Sequence, residues 1–356
     1  MERISDTYKT RIKMNTVKQG GGVNNIDWMK TLGMFFIIWG HLSPEYIKDG
    51  IYIFSVPSFF IISGFLFKPS EWRLFLSKNK KGLIVPYFLL TSSVILFFAL
   101  VKIFFGSFDA LYFPQSFLCM LIGDQNGLGN GAGCQAMWFV YTLFLTKVIA
   151  NATYDKWWLR VFICIASLTA VVYMKAKDIQ IYSSFTNVLL AYPFFEFGCA
   201  VSHRYMKKLE ELPSLMNRTE IIFLLLLGFA CLYVMGYYNG MVQMYNADYG
   251  NSIILCLIGG VFGTILLAFV GILFNGIDVC DIIAIHSKGT IITLAWQIVF
   301  LFTIEQISLK YNIAHLHSVS FSFLLALCIF IAFVPIIKFV NKRLPILVGY
   351  RDRIPK

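Results

Sequence analysis

The sequence predicts an all-α, polytopic membrane protein of about ten transmembrane helices with both termini in the cytoplasm. Three observations predict it. The 356 residues are 58% apolar and 14% charged, against about 45–50% and 25% for soluble domains. Ten apolar stretches follow one another, near 26–44, 50–67, 83–105, 137–150, 158–174, 185–202, 220–238, 252–274, 289–307 and 319–340. All but the short fourth approach the length a helix needs to cross a hydrocarbon core about 30 Å thick. Finally, with the N-terminus inside, 25 of the 30 Lys and Arg fall on the inner side and five on the outer. That is the bias cytoplasmic loops carry. It explains the net charge of +11 as topology and removes the argument for a nucleic-acid partner. Eight cysteines without a C-x-x-C pair give no metal-binding pattern.

Residues Met1–Asn24 are polar and basic and run into three glycines. They read as a flexible cytoplasmic tail, without the apolar core of a secretory signal. Residues 25–343 read as the membrane domain and 344–356 as a short second cytoplasmic tail. The first span carries Asp27, Lys30 and His41. Ionisable groups inside an apolar span are costly and mark candidate functional sites. On a helix, Lys30 and His41 lie about 20° apart around the axis, and Asp27 and His41 about 40° apart. All three share one face, with Met34 and Ile37 in the stripe between Lys30 and His41. Asp27 and His41 are roughly 21 Å apart along the axis. With Asp27 and Lys30 at one surface, His41 sits deep or toward the far side.

Pro44 ends or bends this helix, and Pro57 frees the Ile53 carbonyl in the second span. Irregular backbone at membrane depth is tolerated where protein or a wet cavity surrounds it, so two broken helices, one carrying a histidine, point to a cavity. Lys78, Lys80 and Lys81 precede the third span. They serve topology or hold phosphate. Asp27 and Lys30 pair at i,i+3, or Lys30 meets phosphate. The outer segment Gly106–Ala136 has no Lys or Arg and reads as a flexible loop or an acceptor-side lid, with a short helix over Pro114–Ile122. Glu196, inside the sixth span, reads as orienting His41 or stabilising its protonated form, or else as satisfying a broken helix. His203, His286, His315 and His317 stand near predicted ends and read as solvated surface. Internal repeats, which favour a transporter, are not evident.

Five ordered motifs carry a resemblance. NIDWMKTLGMFFIIWGH (25–41) joins an aspartate and a lysine to a terminal Gly-His. IFSVPSFFIISGFLFK (53–68) holds a proline, paired phenylalanines and Ser-Gly. KNKKGLIVPYFLL (78–90) leads a basic segment into Pro-Tyr. MWFVYTLFL (137–145) and YPFFEFGCAV (192–201) supply a Trp-Phe helix and a Phe-Phe…Gly span. This combination resembles the acyltransferase-3 family of integral-membrane O-acyltransferases, nearest to its sugar and polysaccharide O-acetylase branch.

The resemblance implies transfer of an acyl group, usually acetyl, from cytosolic acyl-CoA to a hydroxyl of a cell-surface glycan or a lipid-linked sugar. Acyl-CoA is then a donor substrate and not a resident cofactor. The expected partners are the acceptor glycan, membrane lipid and glycan-synthesis enzymes. The expected home is a bacterial cytoplasmic membrane. His41 maps onto the family histidine, a positioned base for a weakly nucleophilic hydroxyl, with Glu196 as its catalytic companion. Lys30, Lys78 and Lys81 are the expected donor-binding residues. Asp27, Ser63 and Trp138 are the expected substrate-side residues, and Ser63 or a freed backbone N–H is the candidate oxyanion group. Two departures stand out. Lysines 78 and 81 replace the arginines common in relatives, losing the bidentate fork. In HSKGTIITLAWQ (286–297), Gln297 stands where many relatives carry a second histidine. The residues fit an acetyl or a succinyl donor alike. A non-enzymatic exporter of a lipid-linked glycan is the alternative reading, and a sensory or scaffolding protein a third.

Overall fold

The structure, a computed structural model, describes residues 23–124, 135–201, 203–279, 281–311 and 318–349. Helices α1 (Asn25–Leu42), α2 (Glu45–Tyr52) and α3 (Ser55–Phe65) open the chain. They are followed by α4 (Trp72–Asn79), α5 (Val85–Phe104), α6 (Tyr112–Ile122), α7 (Trp138–Thr153) and α8 (Trp157–Ala176). Then come α9 (Ser184–Ala200), α10 (His203–Glu211), α11 (Arg218–Asn239), α12 (Ile253–Leu273), α13 (Ile282–Tyr311) and α14 (Val319–Arg343).

Local chemistry sets the boundaries that matter for the site. Asn24 caps α1 with a capping box: its Oδ1 accepts from the Asp27 N–H at 3.0 Å, and the Asp27 carboxylate accepts from the Asn24 N–H at 3.2 Å. At the other end, the Ser43 N–H and hydroxyl both donate to the Trp39 carbonyl, at 2.8 and 2.6 Å. Pro44 follows, so α1 stops right after His41. The second apolar stretch is broken at Ile53–Phe54, with Pro57 in the first turn of α3. Both expected interruptions are present. Between α4 and α5 the chain takes a π-type turn, Lys80–Ile84, just before Pro86. A wider turn suits a place where proline removes an N–H.

Seven stretches among the described residues are long and apolar enough to cross a membrane. Helices also stand at the other three expected spans, but α7 and α9 have 16 and 17 residues, and α1 carries Asp27, Lys30 and His41. All three lie within the bundle. Helix α1 packs on α3, α12, α13 and α14, and α9 on α3, α7 and α8. A helix surrounded by protein does not need an apolar outer face. By contrast, α8 and α11 present Trp157, Phe162, Ile165, Ile222, Phe223 and Leu226 outward.

Helices α3 and α9 touch backbone to backbone. A Cβ on Gly64 would fall 1.9 Å from the Phe195 carbonyl oxygen, and one on Gly198 would fall 2.0 Å from that of Ile61. Small residues permit this close approach. Residues 240–252 form an ordered cap after α11. Lys175 of α8 reaches Asp248 at 2.5 Å and the Gly250 carbonyl, while Asn239 donates to the Tyr249 carbonyl at 2.8 Å. The short helix expected over Pro114–Ile122 is present as α6. The glycine-rich stretch 125–134, read above as loop or lid, lies outside the described residues.

Candidate active site

Two cavities lie in series along α1. The one at its C-terminal end has a volume of about 110 Å³ and holds His41. Met34 and Ile37 line it too, so the stripe expected between Lys30 and His41 faces this chamber. The His41 ring is accessible and meets Tyr52 edge to face, with centroids 5.7 Å apart. Trp138, the first residue of α7, contributes a wall and packs on Tyr245 of the cap. Met241, Val242, Met244 and Tyr245, all from the cap, line one side. From α13 come Thr290, Leu294, Gln297, Ile298 and Leu301, spaced as one helical face. The chamber's polar members are His41, Tyr52, Trp138, Tyr245, Thr290 and Gln297, and none of its described lining residues is an acid, a lysine or an arginine.

The second cavity is larger, about 440 Å³, and basic. Lys30, Lys68, Lys78, Lys147 and Lys288 line it, with Ser63, Ser70 and Ser287 and no described acidic residue. Phe59, Phe139, Thr290 and Leu294 line both cavities. The two cavities therefore share a wall. Lys30 and His41 stand eleven residues apart on α1, about 16 Å along the axis.

The expected site residues divide as follows. His41 and Trp138 share the chamber, while Lys30, Lys78 and Ser63 share the basic cavity. Lys81 is exposed and does not line that cavity. The π-type turn carries it off the face that Lys78 occupies on α4. Lys68, Lys147 and Lys288 line the cavity instead. Asp27 lines neither cavity. Its carboxylate accepts from the Asn24 N–H and from the Ser287 hydroxyl, and Ser287 is a wall residue of the basic cavity. Asp27 thus ties α1 to α13 at the cavity edge, assisted by Thr31, whose hydroxyl donates to the Ile283 carbonyl at 3.2 Å.

Glu196 is not brought to His41. It is buried and takes a two-pronged contact from Arg160 of α8, with Nε at 2.7 Å. It lines neither cavity. His286 departs from the solvated reading. Helix α13 begins at Ile282, seven residues before the expected span, and buries His286 against α14. Its ring stacks on Phe330 at 3.6 Å, and its Nε2 lies 3.0 Å from the Phe330 carbonyl oxygen. His315 and His317 fall outside the described residues.

Fold and site together define a multi-pass membrane protein with an internal histidine chamber beside a lysine-lined cavity. The chain belongs to the acyltransferase domain family (Acyl_transf_3), whose model matches residues 23–340. Acyl transfer is the general activity this membership carries. Comparison with curated proteins and with solved structures returned no match.

Proposed function

We propose that the protein transfers an acetyl group from cytosolic acetyl-CoA to a hydroxyl of a cell-surface polysaccharide or lipid-linked sugar. In this reading ten helices span a bacterial cytoplasmic membrane, including the short α7 and α9, and both termini are cytoplasmic. The observation that carries the proposal is the pairing of cavities on one face of α1, lysines at one end and His41 at the other. Lys30, Lys78 and Lys288 suit the phosphates of CoA as point charges. The thioester arm extends past Phe59 and Phe139 into the chamber. His41 removes the proton of the acceptor hydroxyl, and the oxygen attacks the thioester carbonyl carbon. The new C–O bond gives a tetrahedral oxyanion, and its collapse breaks the C–S bond. The proton then passes from His41 to the CoA thiolate.

Two features support acetyl over succinyl in this reading: the chamber is small, and none of its described lining residues is a lysine or arginine to pair a terminal carboxylate, which is costly to bury alone. Glu196 has a structural part in this reading, as the partner of Arg160.

The test is transfer of labelled acetyl from acetyl-CoA into a crude glycan-lipid extract by the purified protein in lipid. Label in the glycan fraction supports the proposal. No label, together with movement of unmodified glycan-lipid across a vesicle membrane, would favour the exporter.

A further inference from the structure

Gln297 has an arrangement that the folded chain does not explain. Its side chain is 1% exposed, yet neither Oε1 nor Nε2 has a hydrogen-bond partner. It lies on the α13 face that lines the His41 chamber, between Leu294 and Leu301. A buried amide without partners is destabilising, and buried polar groups are otherwise almost always paired. Here the unpartnered amide belongs to a residue that lines the His41 chamber.

We infer that Gln297 is a catalytic residue, its Nε2 donating a hydrogen bond to the oxyanion formed at the acyl carbonyl. The inference rests on the acyl-transfer reading. When the hydroxyl oxygen adds, the carbonyl π pair moves onto oxygen, and it returns as the C–S bond breaks. A fixed donor is worth most at that moment in a chamber with no lysine or arginine among its described lining residues, where the only positive charge is the proton His41 has just taken. Two of the other hydroxyls there are engaged: Thr290 donates to the His286 carbonyl at 2.9 Å, and Tyr245 to Gln243 at 2.8 Å; the Tyr52 hydroxyl, on the ring that meets His41, is the remaining O–H donor of the chamber. Ser63, the sequence-based choice, lines the other cavity. Helix α13 is anchored at Ser287 by Asp27, which holds the Gln297 face in register with His41.

The experiment compares wild type, Gln297→Met and Gln297→His in lipid nanodiscs. It reads thermal melting and steady-state CoA release from acetyl-CoA with glycan-lipid extract. Gln297→Met keeps the volume and removes the unpaired amide, so it is expected to melt at or above wild type. Its kcat is expected to fall roughly 100-fold with KM for acetyl-CoA little changed. Gln297→His restores an N–H donor and is expected to recover most of the kcat. Wild-type kcat in Gln297→Met, or an effect confined to KM, would overturn the oxyanion role. A lower melting temperature for Gln297→Met would overturn the premise that the amide is unpaired. Absence of CoA release by a normally folded wild type would sink the acyl-transfer reading itself, and this inference with it.

Discussion

His41 owes its place to two residues that do no chemistry. Ser43 and Pro44 stop α1 directly after it, so the ring stands at a helix end and opens into a chamber. The position was legible because one proline and a count of eleven residues fix both the break and the shared face with Lys30. Glu196 was legible as a buried carboxylate but not as a partner of Arg160, which lies 36 residues earlier. Ion pairing across helices leaves no local pattern. Replacing Arg160 with Met strands the Glu196 carboxylate of this part-buried pair, a loss of about 1–3 kcal/mol. The Arg160→Met, Glu196→Gln double variant is expected to melt closer to wild type than Arg160→Met alone. It is also expected to retain acyl transfer per folded molecule. A double variant that is stable but inactive would return Glu196 to the catalytic machinery.

At the scale of elements, the basic cavity is where reading the sequence fell short. Lys30 and Lys78 were found, but Lys68, Lys147 and Lys288 come from the segment after α3, from α7 and from α13. Only packing brings them together. Positive-inside topology also conceals such residues, because it already accounts for basic residues on that side. The cap at 240–252 is polar in sequence and offered no motif, although four of its residues line the chamber. Lys78→Ala with Lys288→Ala is expected to raise KM for acetyl-CoA several-fold, more at low salt, while Lys81→Ala leaves it near wild type. Steady-state kinetics at two ionic strengths checks this. Gly64 and Gly198 fix how closely α3 approaches α9. Alanine at either position forces the backbones apart, at a cost of about 1–3 kcal/mol or more. Differential scanning should show a lowered melting temperature for each variant.

For the whole molecule, the helical class followed from composition, the succession of apolar stretches and the Lys/Arg bias, and seven stretches among the described residues are long and apolar enough to cross a membrane. What composition did not reveal is that the least hydrophobic or shortest of them, α1, α7 and α9, lie inside the bundle. Burial among neighbours relaxes the demand for a lipid-compatible surface, and it is these interior helices that carry His41, Lys30, Trp138 and Lys147. The account joins a lysine-lined cavity and a histidine chamber into one path, on which a CoA thioester and an acceptor hydroxyl meet at His41. The most direct test is release of free CoA from acetyl-CoA by purified protein in lipid, for wild type and His41→Ala, with and without glycan-lipid extract. The account predicts glycan-dependent release by wild type and a fall of at least about 100-fold in His41→Ala. Equal release by the two proteins would contradict it.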